Sequence, residues 1–219
     1  SREDQDAFAI ESYERSNQAI KKGYFKNEII PIEVTTKKNT VLIDRDEEPL
    51  KFNKEKILKL RPVFKQDGSI TAANASSIND GAAAVLVASD SISNDMKPTA
   101  KIIAHTSFAM DPVYFTKAPI FAIKNLLEKA KLSVDDIDLF EINEAFSCVT
   151  LAAMSELNIP KDKVNIYGGA VSLGHPIGAS GARILVTLLN ALKTTKQKYG
   201  IACLCIGGGE ASAILVEMI

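Results

Sequence analysis

Alternation of helix-like and strand-like segments from Ile70 to the C-terminus constrains the fold more than any other feature of the sequence. Four short apolar runs have the composition of strands, at 101–105, at 137–141 and around Ile201 and Ile214. Segments with helical periodicity lie between them, beginning near Pro119, Glu144 and Ser180. This order predicts an α/β layered fold, in which helices pack on a sheet.

The N-terminal part has a different texture. Ser1 and Asp4 have the spacing of a helix-capping pair, and the helical pattern that they open ends at Gly23. A strand is expected around Pro31, and the highly charged stretch at 44–61 is expected to be exposed.

The run Ala82–Ala88 is small and apolar throughout, so it is expected to be buried. We predict a domain boundary near 94–98. Residues 1–95 alone have too little apolar sequence to close a core, so they are expected to complete a domain that begins upstream. Residues 96–219 could form a domain of their own.

Composition excludes several functional classes. The formal net charge is −1 and there is no long basic tract, so neither nucleic acid nor an anionic membrane is an expected partner. No apolar run is long enough to cross a bilayer. The three cysteines form neither a disulfide framework nor a zinc pattern, which indicates a reducing compartment such as the cytoplasm, or the mitochondrial matrix in a eukaryote.

Three short stretches place reactive side chains where a strand ends or a helix begins, which is where α/β folds usually build sites. The first is Asn143-Glu144-Ala145-Phe146, after the strand at 137–141. Asparagine is a preferred N-cap residue, and taken alone this position favours a helix cap over a catalytic role for Asn143.

The second stretch is 168–183, which has five glycines in 16 positions and is therefore expected to approach another part of the chain or a ligand closely. His175 lies between Gly174 and Pro176, and an imidazole fixed in this way suits proton transfer. A purely structural histidine is one alternative. A phosphate-binding loop is another, but the P-loop ending and the GxGxxG spacing are both missing.

The third stretch is Cys203-Leu204-Cys205-Ile206 followed by three glycines, 207–209. Cys205 ends an apolar strand, so its thiol is expected to be accessible and the following backbone N–H groups could stabilise an oxyanion. Cys148 and Cys203 are interpreted as inert packing.

Together, Asn143-Glu144-Ala145-Phe146, Gly174-His175-Pro176 and the segment from Cys205 to Gly209 resemble the three C-terminal signatures of thiolases. The resemblance extends upstream through Asn74–Ser76 and Asn79–Ala83, and is greatest to the short-chain branch, the acetyl-CoA acetyltransferases. It implies a thiolase-like fold of helices packed between and around mixed sheets, incomplete without an N-terminal half. Residues 1–95 would then be the tail of the N-terminal domain with part of its loop region, and 96–219 the C-terminal domain.

The resemblance also implies residue roles. His175 would activate the acyl-accepting cysteine, and Cys205 would exchange a proton with the α-carbon or thiol of the substrate. Asn143 would hold a water that, together with His175, forms one oxyanion hole, and the Gly207 N–H would contribute to another, shared with the missing nucleophile. The implied contacts to coenzyme A are made by Ser76, Ala145, Phe146, Lys51, Phe52, Asn53 and Lys56.

The implied reaction is the reversible condensation of two acetyl-CoA to acetoacetyl-CoA and coenzyme A. Thiolases place their nucleophilic cysteine in the first half of the protein, whereas no cysteine precedes Cys148, so that half is an expected partner. The first residue, Ser1, indicates an interior start. The resemblance further implies a homodimer or homotetramer.

No cofactor or resident metal is expected beyond the coenzyme A thioesters. Some thiolases bind potassium through backbone oxygens at positions matching Ala72, Ala73, Ala75 and Val171, aided by a tyrosine hydroxyl. The matching residue here is Phe8, so potassium dependence is not implied. Two further functions stay open, namely a thiolase for longer 3-ketoacyl chains and a non-catalytic coenzyme A-binding module.

Overall fold

The computed structural model describes residues 1–89, 91 and 97–219. Helix α1 spans Arg2–Lys22, and it begins and ends as predicted. Ser1 and Asp4 form a reciprocal capping box, and Gly23 ends the helix in the left-handed conformation. The strand expected around Pro31 is β1, Ile32–Thr35, which pairs in an antiparallel hairpin with β2, Thr40–Ile43. Helix α2, Lys54–Ile57, is a single turn in the charged stretch.

A four-stranded mixed sheet forms the centre of the C-terminal part. Its strands are β3 (Ala100–Ala109), β4 (Leu139–Ile142), β5 (Tyr199–Ile206) and β6 (Glu210–Met218), in the spatial order β3-β6-β5-β4. The pairs β3–β6 and β5–β6 are antiparallel, and β4 runs parallel to β5. Both β4 and β5 therefore end at the same edge of the sheet.

Helices cover both faces of this sheet, so the predicted α/β layering is confirmed. On one face lie α3 (Ala118–Ala130) and α4 (Ser147–Leu157), and on the other lies α6 (Ser180–Thr195) with the end of α1. A one-turn helix, α5 (Ala170–Leu173), interrupts the glycine-rich stretch. Because side chains alternate along a strand, Cys203 packs into the first layer and Ala202 into the second.

The prediction that the run Ala82–Ala88 is buried is wrong for this chain. These residues have no regular secondary structure and are almost all exposed, with Leu86 at 83%. No described residue pairs with them in a strand ladder, so they are not incorporated into either sheet. The predicted boundary between residues 95 and 96 lies outside the described residues and stays a prediction.

Candidate active site

Asn143 directly follows β4, and its N–H donates to the Cys203 carbonyl at 2.9 Å, which extends the β4–β5 pairing by one step. The residue is almost completely buried. Helix α4 begins only at Ser147 with Phe146 at the N-cap position, so the helix-cap interpretation of Asn143 is wrong. The Asn143 side chain is thereby available for another role.

The backbone around His175 is fixed by the segment 77–79. The His175 N–H donates to the Ser77 carbonyl at 2.9 Å, and His175 forms a bridge with Ile78. Gly174 has φ +93°, and a Cβ there would lie 2.4 Å from the Asn79 side-chain oxygen. The close approach predicted from the glycines is therefore confirmed, and it limits where the imidazole can lie.

Both nitrogens of the His175 ring have partners. Nε2 lies 3.4 Å from Asn143 Nδ2, and Nδ1 lies 2.5 Å from Ser180 Oγ. Burial lowers the pKa of His175, and the positive charge of Arg183 lowers it further. A neutral imidazole, which can accept a proton, is therefore favoured at neutral pH.

Cys205 lies one residue before the end of β5 and is buried, with 8% of its surface exposed, so the expectation of an accessible thiol is wrong for this chain. Burial raises the pKa of its thiol to about 11, so the protonated form dominates at neutral pH. The neighbouring Cys203 is completely buried, and its pKa is raised for the same reason. This inert environment agrees with the packing role predicted for Cys203.

The glycine turn after Cys205 leaves the N–H groups of Gly207 and Gly208 without a hydrogen-bond acceptor among the described residues. The Gly209 N–H donates to the Ile206 carbonyl at 3.1 Å and closes the turn between β5 and β6. Within the described residues, no hydrogen bond is made by the N–H of Gly207, which is exposed. A backbone N–H that has no acceptor within the protein is available to donate to a developing oxyanion once a substrate covers it.

Glu144 connects the segment after β4 to α1 and to the glycine-rich stretch through hydrogen bonds. Its buried carboxylate accepts from the Ser12 hydroxyl at 2.7 Å, from the Asn165 amide at 2.8 Å and from the Val171 N–H at 3.1 Å. Burial raises the pKa of Glu144 in spite of these hydrogen bonds. A Cβ at Gly169 would lie 2.3 Å from the carboxyl carbon, so the glycine-rich stretch packs directly on this group.

Three of the residues expected to contact coenzyme A lie together. The Ser76 N–H and hydroxyl each donate to the Ala145 carbonyl at 3.0 Å, and Phe146 forms a bridge with Ala75. The rings of Phe64 and Phe115 lie edge-on to Phe146, each 6.3 Å away between centroids. Neither of these two aromatic residues was found from the sequence, because nothing local marks a ring whose partner is distant in the chain.

The segment from Lys51 to Lys56 lies on the surface beside α1. Lys51 forms an ion pair with Glu48, the Phe52 ring stacks on Tyr13 at 5.2 Å, and the Asn53 side chain caps α2 by accepting from the Lys56 N–H at 2.9 Å. These contacts explain the residue types without a ligand. Coenzyme A binding by this segment therefore stays a prediction.

A groove of about 420 Å³ runs beside the glycine-rich stretch, between Asn79–Ala83 and Pro176–Ala182. Its lining begins one residue after His175. Among residues 1–89, 91 and 97–219, no cluster of three or more His, Cys, Asp or Glu side chains is arranged to bind a metal. In the same part of the chain, we find no helix with the length and apolarity that a bilayer crossing requires.

Comparison with known proteins identifies the family of the chain. Residues 1–91 match the family model for the thiolase N-terminal domain, and residues 96–218 match that for the thiolase C-terminal domain. An acetyl-CoA acetyltransferase from Yarrowia lipolytica is 54% identical over 220 residues, which cover 100% of this chain and 55% of that protein. The chain thus spans about half the length of the curated relatives that it matches.

Solved structures have the same fold. The acetyl-CoA acetyltransferase of Bacillus anthracis superposes with a TM-score of 0.97 at 40% identity, over 100% of this chain and 56% of the other. A thiolase from Ascaris suum in complex with coenzyme A superposes with a TM-score of 0.90 at 44% identity, with the same coverage. Since two family models together match nearly the whole chain, the chain belongs to the thiolase family.

Proposed function

We propose that this chain provides the C-terminal part of an acetyl-CoA acetyltransferase, which condenses two acetyl-CoA to acetoacetyl-CoA and coenzyme A and catalyses the reverse thiolysis. The observation that carries the proposal is the contact between His175 Nε2 and Asn143 Nδ2, 3.4 Å apart, next to β5, the strand that carries Cys205 one residue before its end. His175 and Asn143 come from segments that are distant in the chain, so their contact is a product of folding, and β5 pairs directly with β4, the strand that precedes Asn143.

His175 is suited to accept the proton of a nucleophilic thiol. Its pKa is lowered by burial and by Arg183, so the neutral ring is the dominant form at pH 7. In thiolases the nucleophilic cysteine belongs to the first half of the protein. We propose that a polypeptide outside these 219 residues supplies it and packs against the exposed run Ala82–Ala88.

Cys205 is suited to donate and recover a proton at the substrate. With its pKa at about 11, the thiol is protonated at rest. It can protonate the carbanion that leaves in thiolysis, and in condensation it can protonate the coenzyme A thiolate that leaves when the nucleophile is acylated. In the condensation direction the resulting thiolate is a strong base for the α-proton. The Gly207 N–H, and Asn143 with a bound water, would stabilise the charge that accumulates on the thioester oxygens.

Coenzyme A would lie along Ser76, Ala145 and Phe146, where apolar aromatic edges meet backbone carbonyls. This lining suits the pantetheine arm, which is apolar with two amides. We place the nucleotide end near Lys51, Phe52, Asn53 and Lys56. We further propose a homodimer or homotetramer in the cytoplasm or the mitochondrial matrix, since three free cysteines are compatible with a reducing compartment.

The test uses a longer protein that joins these 219 residues to a thiolase N-terminal half. We expect thiolysis of acetoacetyl-CoA, and a loss of at least about 10²-fold in kcat for Cys205→Ala, because an acid–base group contributes about that much. Cys203→Ala is the matched control, since Cys203 lies on the same strand and face but is completely buried. Equal turnover of Cys205→Ala and Cys203→Ala would refute the acid–base role.

Two further measurements separate the alternatives. A series of 3-ketoacyl-CoA substrates of increasing length should show the highest kcat/KM for acetoacetyl-CoA, and a maximum at a longer chain would instead identify a longer-chain thiolase. Calorimetry with coenzyme A tests the non-catalytic module. If the 219-residue chain binds coenzyme A tightly and the longer protein shows no turnover, the function is coenzyme A binding and not catalysis.

A further inference from the structure

We propose that Ser180 is a positioning residue that fixes the tautomer of His175, with the proton on Nδ1 and the lone pair on Nε2. This inference deepens the proposed function, on which it rests for its catalytic consequence. The arrangement of hydrogen bonds around the ring carries it.

The first contact lies on the Nδ1 side of the ring. Ser180 Oγ is 2.5 Å from His175 Nδ1 and 3.1 Å from the carbonyl oxygen of Pro176. A hydroxyl has one proton to donate, and a carbonyl can only accept. When the Ser180 hydroxyl donates to Pro176, its oxygen can only accept from an N–H at Nδ1.

The second contact lies on the opposite side and requires the same tautomer. Asn143 Nδ2 is an amide donor, and it faces Nε2 of His175 at 3.4 Å. A donor facing a ring nitrogen needs that nitrogen to carry a lone pair. The contacts with Ser180 and with Asn143 therefore both favour a neutral imidazole that carries its proton on Nδ1 and its lone pair on Nε2.

The position of Ser180 is fixed, so its hydroxyl can favour one tautomer of His175. It is completely buried and is the first residue of α6, so it is held by a helix that packs on the central sheet. The Pro176 carbonyl also accepts from the Ala179 and Ser180 N–H groups, at 2.8 and 2.9 Å, which closes the turn between His175 and the helix. The hydroxyl is thus fixed relative to the imidazole by backbone hydrogen bonds.

The consequence is a ring that is ready to act as a base. A histidine free in water samples both neutral tautomers, and only the one with a free Nε2 can take a proton on the side facing Asn143. Holding that tautomer removes a preceding rearrangement from the catalytic cycle. Ser180 would act on the reaction only through His175.

Nitrogen-15 NMR of the 219-residue chain tests the tautomer directly, because the only other histidine is His105. We expect His175 to show an unprotonated Nε2 and a protonated Nδ1, and Ser180→Ala to shift the population toward protonated Nε2. Ser180→Thr, which keeps the hydroxyl, should restore the original tautomer. Ser147→Ala is the control, because Ser147 is equally buried and its hydroxyl has no hydrogen-bond partner among the described residues.

Two results would overturn the proposal: a protonated Nε2 in the unsubstituted chain, or the same tautomer populations in Ser180→Ala as in Ser147→Ala. The first result can be read even if Ser180→Ala does not fold. In the longer protein, we expect Ser180→Ala to lower kcat about tenfold with KM changed less than about twofold, since one hydrogen bond to the base is lost. If the longer protein shows no thiolysis, the proposed function fails while the NMR result still decides the tautomer.

Discussion

The region 97–219 and the region 24–89 differ in how much of their apolar side-chain surface is buried within the chain. In the first, helices cover both faces of the sheet, and Leu188 is completely buried. In the second, the hairpin strands and the run Ala82–Ala88 expose theirs, including Leu86 at 83%. The same residue types thus have different environments, and contiguous exposed apolar residues are typical of a surface that another polypeptide covers.

The two regions also differ at the level of the site. His175, Asn143 and Cys205 are held by hydrogen bonds and burial in the later region, whereas the segment from Lys51 to Lys56 is a surface feature whose contacts are local. Electrostatic effects at an exposed group are screened by water. We therefore expect substitutions at the sheet edge to have much larger effects on turnover than substitutions in the segment 51–56.

The largest difference is expected in catalysis. Asn143→Ala in the longer protein should reduce kcat by about 10²–10³-fold, the usual loss when one oxyanion donor is removed. Lys56→Ala should change kcat by less than about twofold and act mainly on KM, because Lys56 is exposed and is proposed to lie at the nucleotide end of coenzyme A. Steady-state kinetics of thiolysis measure both, and comparable losses for the two variants would remove the contrast between the regions.

The next largest difference is in stability. Leu188→Ala should lower the free energy of unfolding of the 219-residue chain by about 3 kcal/mol, since it leaves a cavity in the core. Leu86→Ala should change it by less than about 0.5 kcal/mol, because this side chain is exposed. Urea unfolding followed by circular dichroism gives both values.

The same pair of variants can detect the partner. In the longer protein, we expect the cost of Leu86→Ala to rise toward that of Leu188→Ala, because the run Ala82–Ala88 would then be covered. An unchanged, small cost would show that this run stays exposed and that the first region needs no partner.

A pH effect is expected from the buried Glu141, whose Oε2 lies 3.8 Å from Nη1 of the partly buried Arg183. Burial raises the pKa of Glu141 to about 8. The protonated carboxyl is then favoured in the folded state, so its contribution to stability is complete below the ordinary pKa and is lost as the pH rises through 8.

Glu141→Gln should flatten this dependence, at about 1.4 kcal/mol for each unit by which the pKa is raised. The free energy of unfolding, measured between pH 5 and pH 9 in the original and the substituted chain, gives the comparison. Parallel curves would show that Glu141 is ionised in the folded state.

The smallest difference separates two glycines of one loop. Gly174→Ala should lower the free energy of unfolding by about 1–3 kcal/mol, because φ is +93° and the new methyl would meet Asn79. Gly178→Ala should be neutral or slightly stabilising, since its Cβ position is open within 4 Å. Equal costs, measured by thermal unfolding, would show that the loop rearranges around a side chain at Gly174.

Much of the fold follows from local pattern. The ends of α1 were predictable from the capping pair and the closing glycine, and the face of α3 from the spacing of Ile123, Leu126 and Leu127, which are all buried. The start of α4 was not predictable. The residues after β4 first bridge to Ala75 and hydrogen-bond to distant carbonyls, and these tertiary contacts delay the helix until Ser147.

The sequence by itself determined which residue types lie at the strand ends and in the glycine-rich loop, because strand alternation, glycine content and the family signatures are local properties of the chain. Only the tertiary structure decided that Asn143 meets His175, that Ser180 occupies the other side of the ring, and that the run Ala82–Ala88 is uncovered. The reason is physical. Contacts between residues far apart in sequence depend on how the sheet, its helices and a partner surface pack, and no local pattern encodes that packing.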